Sequence, residues 1–467
     1  MTCQQRPFQV TYSEARRNQQ GVLRLGKDFH LDFEAPRSYF IGELPPRLMD
    51  LLRISMAVFV VDRYARRNRL PSRSWRRGIK IKVEVLQPDF WVNSDVLDAL
   101  REVTEFVTGD DWEFEFVKDS PCYEWSRPLL SQVYSNDSPL VCLYSGGLDS
   151  AAGLGLRLRD QPDRPVLPVT IRHQPAQHDL ITSQLDRLRR QFGGRIEPLV
   201  VETRVPRRNG LKWEPSYRGR SMLFTALGVV VAAVAGVPHV EVFESGIGAI
   251  NIPLMAGMTG SKSTRNCHPE FLRRMSRLAS IVTEHEITFR LPFLDQTKGE
   301  MVRAVNEAGL ADLARETISC AHYPLGHRRY QQCGVCSSCI FRRQAMLVGG
   351  IEEPEGSYSF DLFGTAEAAN VVPQEKLKYL KAFLMQVAKW DDIEKIGRLP
   401  EPVSRHLLET HIHKVGDSPE AIIDLLVRHR DEWKQIVAKG RRVGYRWARL
   451  LDPARTSVGQ GVSHAPA

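Results

Sequence analysis

The stretch Leu140–Leu154, "LVCLYSGGLDSAAGL", decides the fold. Leu140 to Leu143 is apolar and follows the polar "SNDSP", which predicts a short buried strand. Gly146 and Gly147 lack Cβ atoms where that strand ends, so the backbone can turn sharply and approach a ligand closely. From Leu148 to Arg159 a helix is expected, with Leu148, Ala151, Ala152, Gly155 and Leu158 at helical spacing. Strand, glycine turn and helix start together make an anion site. Free backbone N–H groups and the positive end of the helix dipole point into the turn. Ser145 and Ser150 add hydroxyl donors there. No Gly-Lys-Ser/Thr closes the turn, so it is not a Walker loop, and it is not GxGxxG.

Working outward, the chain from Leu140 to about Gly349 alternates strands and helices. Expected strands are Leu140–Leu143, Pro165–Ile171, Ile196–Thr203, His239–Ser245 and Ile287–Phe293. Expected helices include Gln177–Phe192, Arg220–Ala235 and His268–Glu284. Such alternation predicts an α/β fold, a parallel sheet covered by helices on both faces. Ligands of such sheets bind beyond the carboxyl ends of the strands, which is where "YSGGLDS" falls. Residues 1–135 read as a separate α+β domain around an amphipathic helix, Pro45–Arg67, joined on by the polar linker "VYSNDSP". Residues 351–455 read as a helical domain and 456–467 as a disordered tail.

At 467 residues, the chain suffices for two or three domains. Its 42% hydrophobic and 25% charged content suits a soluble globular protein. "MTCQQRPFQV" has no apolar core, so no signal peptide is expected, and the protein is expected in the cytoplasm. The longest apolar run, Met222–Val237, is about a turn short of a membrane span and reads as a buried helix. A net charge of +9 favours an acidic partner or substrate. Nine basic residues crowd between Arg63 and Lys82. They read either as a docking surface for nucleic acid or an acidic protein, or as a solvated helix end and loop.

Half of the eight cysteines lie in one segment: Cys320, then Cys333, Cys336 and Cys339. Two overlapping CxxC steps gather three thiolates around one turn, and Cys320 supplies a fourth. Four sulfurs suit a closed, structural Zn²⁺ site, a zinc knuckle whose tight turn Gly334 permits. An iron–sulfur cluster is the rival occupant. Arg342 and Arg343 are expected to offset the charge of the thiolates.

The "SGGLDS" string resembles the PP-loop of the ATP pyrophosphatase family, a Rossmann-like, HUP-type fold that cleaves ATP to AMP and pyrophosphate. The resemblance implies that Tyr144, Ser145, Gly146, Gly147, Leu148, Asp149, Ser150, Ala151 and Leu154 form the nucleotide site. It puts Asp149 where a metal-bridged triphosphate would sit, with ATP, Mg²⁺ and Zn²⁺ as cofactors. An SGGLDS loop followed by SC…CGxCxxC resembles the QueC branch, 7-cyano-7-deazaguanine synthase, over residues 136–350. "YRGRSMLFTALG", "ESGIGAINIP", "NCHPEF" and "DQTKGEMV" are similar to further pieces of that branch. Ser221 and His268 depart from its usual Asn and Arg.

That branch implies attack of a 7-carboxy-7-deazaguanine carboxylate on the α-phosphate of ATP, then opening of the acyl adenylate by an amine. Asp149, Lys298 and Arg220 become candidates for the catalytic charges, and Asn251 and Glu270 for recognising a guanine-like edge. The added terminal regions resemble QueC-like proteins of anti-phage operons, the Qat and type IV CBASS systems. There the acyl group is expected to pass to the N-terminal amine of a partner protein. A housekeeping synthase using ammonia, a tRNA-modifying PP-loop enzyme and a catalytically retired scaffold are the alternatives.

Overall fold

The computed structural model describes residues 8–12, 22–25, 27–34, 44–67, 76–119, 138–172, 175–207, 214, 216–254, 265–323, 331–365, 372–396, 399, 401–410, 412 and 419–450. The expected tail, 456–467, and most of the expected linker lie outside them.

The N-terminal third contains β1 (Phe8–Thr11), β2 (Val22–Arg24), β3 (His30–Glu34), α1 (Pro46–Tyr64), β4 (Gly78–Val85), α2 (Pro88–Trp91), α3 (Ser94–Thr108) and β5 (Asp111–Lys118). Four of these strands form one parallel sheet in the order β2-β1-β4-β5. The expected α+β character therefore gives way to parallel pairing. Nor does this third keep to itself, because β3 leaves that sheet and pairs antiparallel with β8 (Leu199–Arg204) of the next.

The second sheet is the one predicted from the glycine turn. Its further elements are β6 (Leu140–Leu143), α4 (Leu148–Asp160), β7 (Val166–Arg172), α5 (Pro175–Phe192), α6 (Gly219–Val234), β9 (His239–Val242), α7 (Gly246–Ile250), α8 (Pro269–Thr283), β10 (Thr288–Arg290), α9 (Lys298–Glu307), α10 (Ala311–Arg315) and α11 (Ser337–Val348). The strand order is β10-β9-β6-β7-β8-β3, parallel except for β3 at the edge. The chain runs outward from β6 through β7 and β8, then returns to β6's other side with β9. This order reversal opens a crevice above the carboxyl ends of β6 and β9. Alternate residues of β6 serve opposite faces: Val141 and Leu143 join the core under α6 and α8, and Leu140 and Cys142 join the core under α4, α9 and α10.

Helix α1 was expected to be amphipathic. Instead every residue from Leu48 to Tyr64 is buried, because α1 lies between β4 on one side and α6 on the other. Its polar residues survive there by finding partners. The Asp50 carboxylate accepts from the backbone N–H groups of Leu86 (2.6 Å) and Gln87 (2.9 Å) and from the Trp91 indole (3.1 Å). Arg53 pairs with Asp119 at 2.9 Å.

The same pairing takes up much of the charge of the basic stretch, although Arg66 is exposed. Arg63, Arg67 and Arg77 are buried. Arg77 lies 2.6 Å from Asp62 and 2.5 Å from Asp110, and Arg67 is bidentate on Asp110. Arg76 pairs with Asp111, Lys80 with Glu113 and Lys82 with Glu115, the last two directly across the β4–β5 ladder. Arg69 and Arg73 lie outside the described residues. These pairs lower the free positive charge that the described part of the stretch presents to solvent.

The C-terminal helices are α12 (Lys378–Ile396), α13 (Glu401–Glu409), α14 (Pro419–Val443) and α15 (Arg446–Leu450). They close over two parts of the α/β unit. Trp390, Ile393, Leu407, Ile422 and Leu426 share a core with Ile250 of α7, and Phe383, Trp433 and Trp447 share one with the four clustered cysteines. No helix among the described residues is long and apolar enough to cross a membrane.

Asp110→Ala should be among the most damaging single changes in the N-terminal third. It removes the bidentate partner of buried Arg67 and one of the two carboxylates on buried Arg77, and breaking a buried pair from one side costs about 3–5 kcal/mol. Urea unfolding should show that loss, whereas Lys82→Ala, on a more exposed pair, should cost under about 1 kcal/mol.

Candidate active site

The glycine turn is fixed from beneath by polar side chains. Tyr144 is fully buried; its hydroxyl donates to Gln184 Oε1 at 2.7 Å, and its carbonyl accepts from the Thr170 hydroxyl. Gln184 Nε2 in turn donates to Gly146 O (3.2 Å) and Glu316 O (3.0 Å). Gly146 sits at φ 74°, and a Cβ there would stand 2.8 Å from Ile181. On the open side, Ser145 is exposed, its Oγ 3.1 Å from Ser150 Oγ, and Ser150 Oγ donates to Gly147 O at 3.0 Å. Gly147 is the N-cap of α4. The side chains of Tyr144, Leu148, Ala151 and Leu154, expected at the nucleotide, all lie in the apolar core, so they hold the turn up rather than line it. Gln184 was not anticipated, since nothing in α5's sequence marks it.

Asp149, in the first turn of α4, reaches across to the end of β9. Its Oδ1 accepts from Ser245 N at 3.3 Å, and its Oδ2 lies 2.5 Å from Lys298 Nζ. Lys298 opens α9 behind a complete capping box of Thr297 and Glu300, so its backbone is set by local hydrogen bonds. A second carboxylate, Glu244, stands 3.7 Å from the same ammonium, and the Phe341 ring lies 4.5 Å from it. Burial pulls Lys298 toward the neutral form, but Asp149 and Glu244 outweigh it and raise its pKa. Burial, then the charge of Asp149, pushes Glu244 up to about 8, with Lys298 partly opposing. Two of the sequence's candidates, Asp149 and Lys298, thus meet in space, and Glu244, which the sequence reading did not single out, joins them. Its one signal was an acid just past an apolar strand, "HVEVFES", that becomes β6's neighbour.

The remaining expected residues sit elsewhere. Arg220, in the first turn of α6, lies 5.4 Å from the Tyr217 ring centroid, and Arg63 stacks on that ring at 4.0 Å. Asn251 caps α7 in a left-handed conformation at φ 48° and is half-buried. Glu270 is buried and its carboxylate is taken up by Arg273 (2.7 Å) and Arg274 (2.7 Å). Burial would raise its pKa, but these two guanidiniums hold it low. Three hydrogen bonds from Arg273 and Arg274 take up most of its acceptor capacity. His268 is the N-cap of α8, accepting from Glu270 N through Nδ1 at 3.1 Å; burial keeps it neutral, with its pKa pulled down to about 3.

The four cysteines converge. Cys320, Cys333, Cys336 and Cys339 are buried, and their sulfurs lie within 4.8 Å of one another. Gly334, at φ 76°, makes the turn between two of them. Backbone N–H groups of Cys333, Cys336 and Cys339 point at the sulfurs of Cys320, Cys333 and Cys336 at 3.3–3.4 Å. The Cys333–Cys339 sulfur separation is 3.8 Å. A tetrahedral zinc with bonds of about 2.3 Å requires sulfurs about 3.8 Å apart. A cubane cluster binds each thiolate to a different iron and spreads them wider. The cage suits zinc. Arg342 and Arg343 do not offset its charge as expected, because both pair with Glu353 at 2.9 Å. They tie α11 to the segment after it.

Metal analysis should therefore find about one zinc per chain. Cys336→Ser should release it and lower the melting temperature, since binding energy at a structural site is folding energy. Glu244 gives a pH signature. Its folded pKa lies above the ordinary carboxylate value, so the folded state holds the extra proton, and stability should fall as pH rises from about 4.5 to about 8. Glu244→Gln should flatten that slope in a series of unfolding titrations.

Residues 220–348 match the family described as Queuosine biosynthesis protein QueC. The chain is 28% identical over 240 residues to the 7-cyano-7-deazaguanine synthase of Anaeromyxobacter sp. (strain Fw109-5), covering 46% of this chain and 94% of that protein. It is 32% identical over 142 residues to the synthase of Methanothermobacter thermautotrophicus, 30% of this chain and 54% of that one. The synthase of Methylococcus capsulatus is 26% identical over 239 residues, 46% and 97% respectively. The matched stretch holds Glu244, Lys298 and all four cysteines, and across it the chain is QueC-like.

Proposed function

We propose that the protein is an ATP-dependent synthase that adenylates the carboxylate of a 7-deazaguanine and passes the acyl group to an amine. The observation that carries this reading is the Lys298–Asp149 pair, an ammonium held at 2.5 Å beside the glycine turn at the sheet's crevice. Ser145, Gly146, Gly147 and Ser150 would cradle the phosphates through backbone N–H groups and hydroxyls. The substrate carboxylate attacks the α-phosphorus, a P–O bond forms, and pyrophosphate departs with the electron pair of the broken bond. Lys298 supplies fixed positive charge for that leaving group, a task at which preorganised donors outperform water. Asp149 keeps the ammonium aimed into the crevice until the triphosphate arrives. Asp149 and Glu244 also offer the carboxylate oxygens a Mg²⁺ accompanying the nucleotide would take, and that ion would screen the phosphates.

The amine then attacks the acyl carbon, forming the C–N bond and releasing AMP. The relatives are named 7-cyano-7-deazaguanine synthases, which favours a nitrile end product. Ammonia as the amine would give the primary amide. A second ATP would adenylate that amide's oxygen with release of pyrophosphate, the oxygen then leaving as AMP as the nitrile forms and two protons are lost. A partner protein's N-terminus, in an anti-phage setting, is the second reading, and it rests on the presence of the added terminal segments.

Incubation with ATP, 7-carboxy-7-deazaguanine and ammonia should yield AMP and pyrophosphate together with an amide or nitrile, read by mass spectrometry. Carboxylate-dependent exchange of pyrophosphate into ATP should fall by roughly 10²–10³-fold in Lys298→Ala, the usual cost of losing one charge-stabilising donor. Release of ADP and phosphate instead would overturn the assignment. A mass shift on a co-purified protein in place of the small product would select the second amine.

A further inference from the structure

We infer that Glu432, on α14, is a positioning residue for Lys298, which makes the C-terminal helices part of the catalytic centre. The inference rests on the proposed function for its kinetic consequence and on geometry for its substance. Glu432 is buried, and its carboxylate is shared between two donors on other elements. The Thr297 hydroxyl donates to Oε1, and Gln344 Nε2 of α11 donates to Oε2 at 2.9 Å. Thr297 is the N-cap immediately before Lys298, and its Oγ1 also accepts from Glu300 N at 3.0 Å. One hydroxyl therefore links the capping box that sets Lys298's backbone to a carboxylate on a helix well over a hundred residues later.

The approach is made possible by Gly299. A Cβ at that position would stand 2.5 Å from Glu432 Oε1 and 2.6 Å from Val348 Cγ1, so any other residue would displace the Glu432 carboxylate from its place beside the start of α9. Arg428, one turn earlier on α14, holds the other side of the same turn by pairing with Glu300 and donating to Asp295 O at 2.6 Å. A second contact reaches the side chain itself. The Phe341 ring beneath the Lys298 ammonium is packed edge-on by His429 at 5.5 Å and stacked by Phe383 of α12 at 6.2 Å. Backbone and side chain of Lys298 are thus both set from the C-terminal helices.

Replacing Glu432 by Leu keeps the volume and leaves Thr297 and Gln344 without their acceptor. Replacing it by Gln keeps an acceptor for Thr297, and a rotated Gln344 amide can still pair with it. Full-length Glu432→Leu, Glu432→Gln and, as a second route should the first misfold, Thr297→Val are compared with the parent chain. Two readouts are taken: the rate at which an amine-selective reagent labels Lys298 relative to Lys80, by peptide mass, and carboxylate-dependent ATP–pyrophosphate exchange. The expected result is faster labelling of Lys298 in Glu432→Leu and Thr297→Val but not in Glu432→Gln. In the first two, kcat should fall by up to about 10²-fold, the cost of misplacing a catalytic group by an ångström, with KM for ATP little changed. Unchanged labelling of Lys298 in a folded Glu432→Leu or Thr297→Val chain overturns the inference. Absence of exchange in the parent chain overturns the proposed function instead, and the labelling result still decides the role of Glu432.

Discussion

A lysine ammonium held between two carboxylates in a largely buried setting is the constraint around which this protein is arranged. Burial alone would drive Lys298 neutral and leave Asp149 and Glu244 repelling one another. Together they are stable, and the three must come from three different elements to meet. Asp149 comes from the helix after β6, Glu244 from the end of β9, and Lys298 from the start of α9. Only a sheet in which β9 returns to lie beside β6 brings the first two together, and only the turn at Asp295–Thr297 delivers the third. The chemistry we propose requires positive charge for departing pyrophosphate, and the fold meets that requirement by storing the charge against acids before the nucleotide enters.

The same rule, that a buried charge is tolerated when its partner is built in, organises the N-terminal third. Asp62 and Asp110 hold Arg67 and Arg77 between α1 and the four-stranded sheet. Ser216 and Gly219, at the approach to α6, also donate to Asp62, at 2.7 and 3.0 Å. One carboxylate thereby fastens the N-terminal sheet to the helix that covers the catalytic one. An added segment of this kind shares its core with the α/β unit and is not a detachable module.

What could be read from the sequence divides along the distance between interacting residues. The glycine turn and the cysteine knuckle were legible because strand, turn, cap and ligands lie within a few residues of each other. The parallel sheet followed from alternation alone. The burial of α1 was not legible, since Asp50, Arg53, Asp62 and Arg63 give it the look of a solvent face, and their partners lie on other elements. Pairing within the basic stretch was hidden for the same reason: Glu113 and Glu115, which answer Lys80 and Lys82, sit on a strand thirty-odd residues on. Glu270 was read as a candidate for a guanine-like edge, and its pairing with Arg273 and Arg274, three and four residues along its own helix, was legible in the spacing. Glu432 had no signal at all.

The edge strand β3 has a consequence for synthesis of the chain. His30–Glu34 emerges early from the ribosome, yet its partner, Val200–Arg204, must first be translated and laid beside β7. Until then strand β3 has no antiparallel mate, and the α/β sheet has an open flank at β8. Pairings this remote slow folding and leave intermediates with exposed edges. Once docked, the antiparallel β3 covers β8 and itself becomes the sheet's rim, a five-residue strand carrying Asp32 and Glu34, the short charged kind of edge that resists pairing with another chain. Strand β3 thus acts late in folding, as a rim added to a sheet that later-translated residues have assembled.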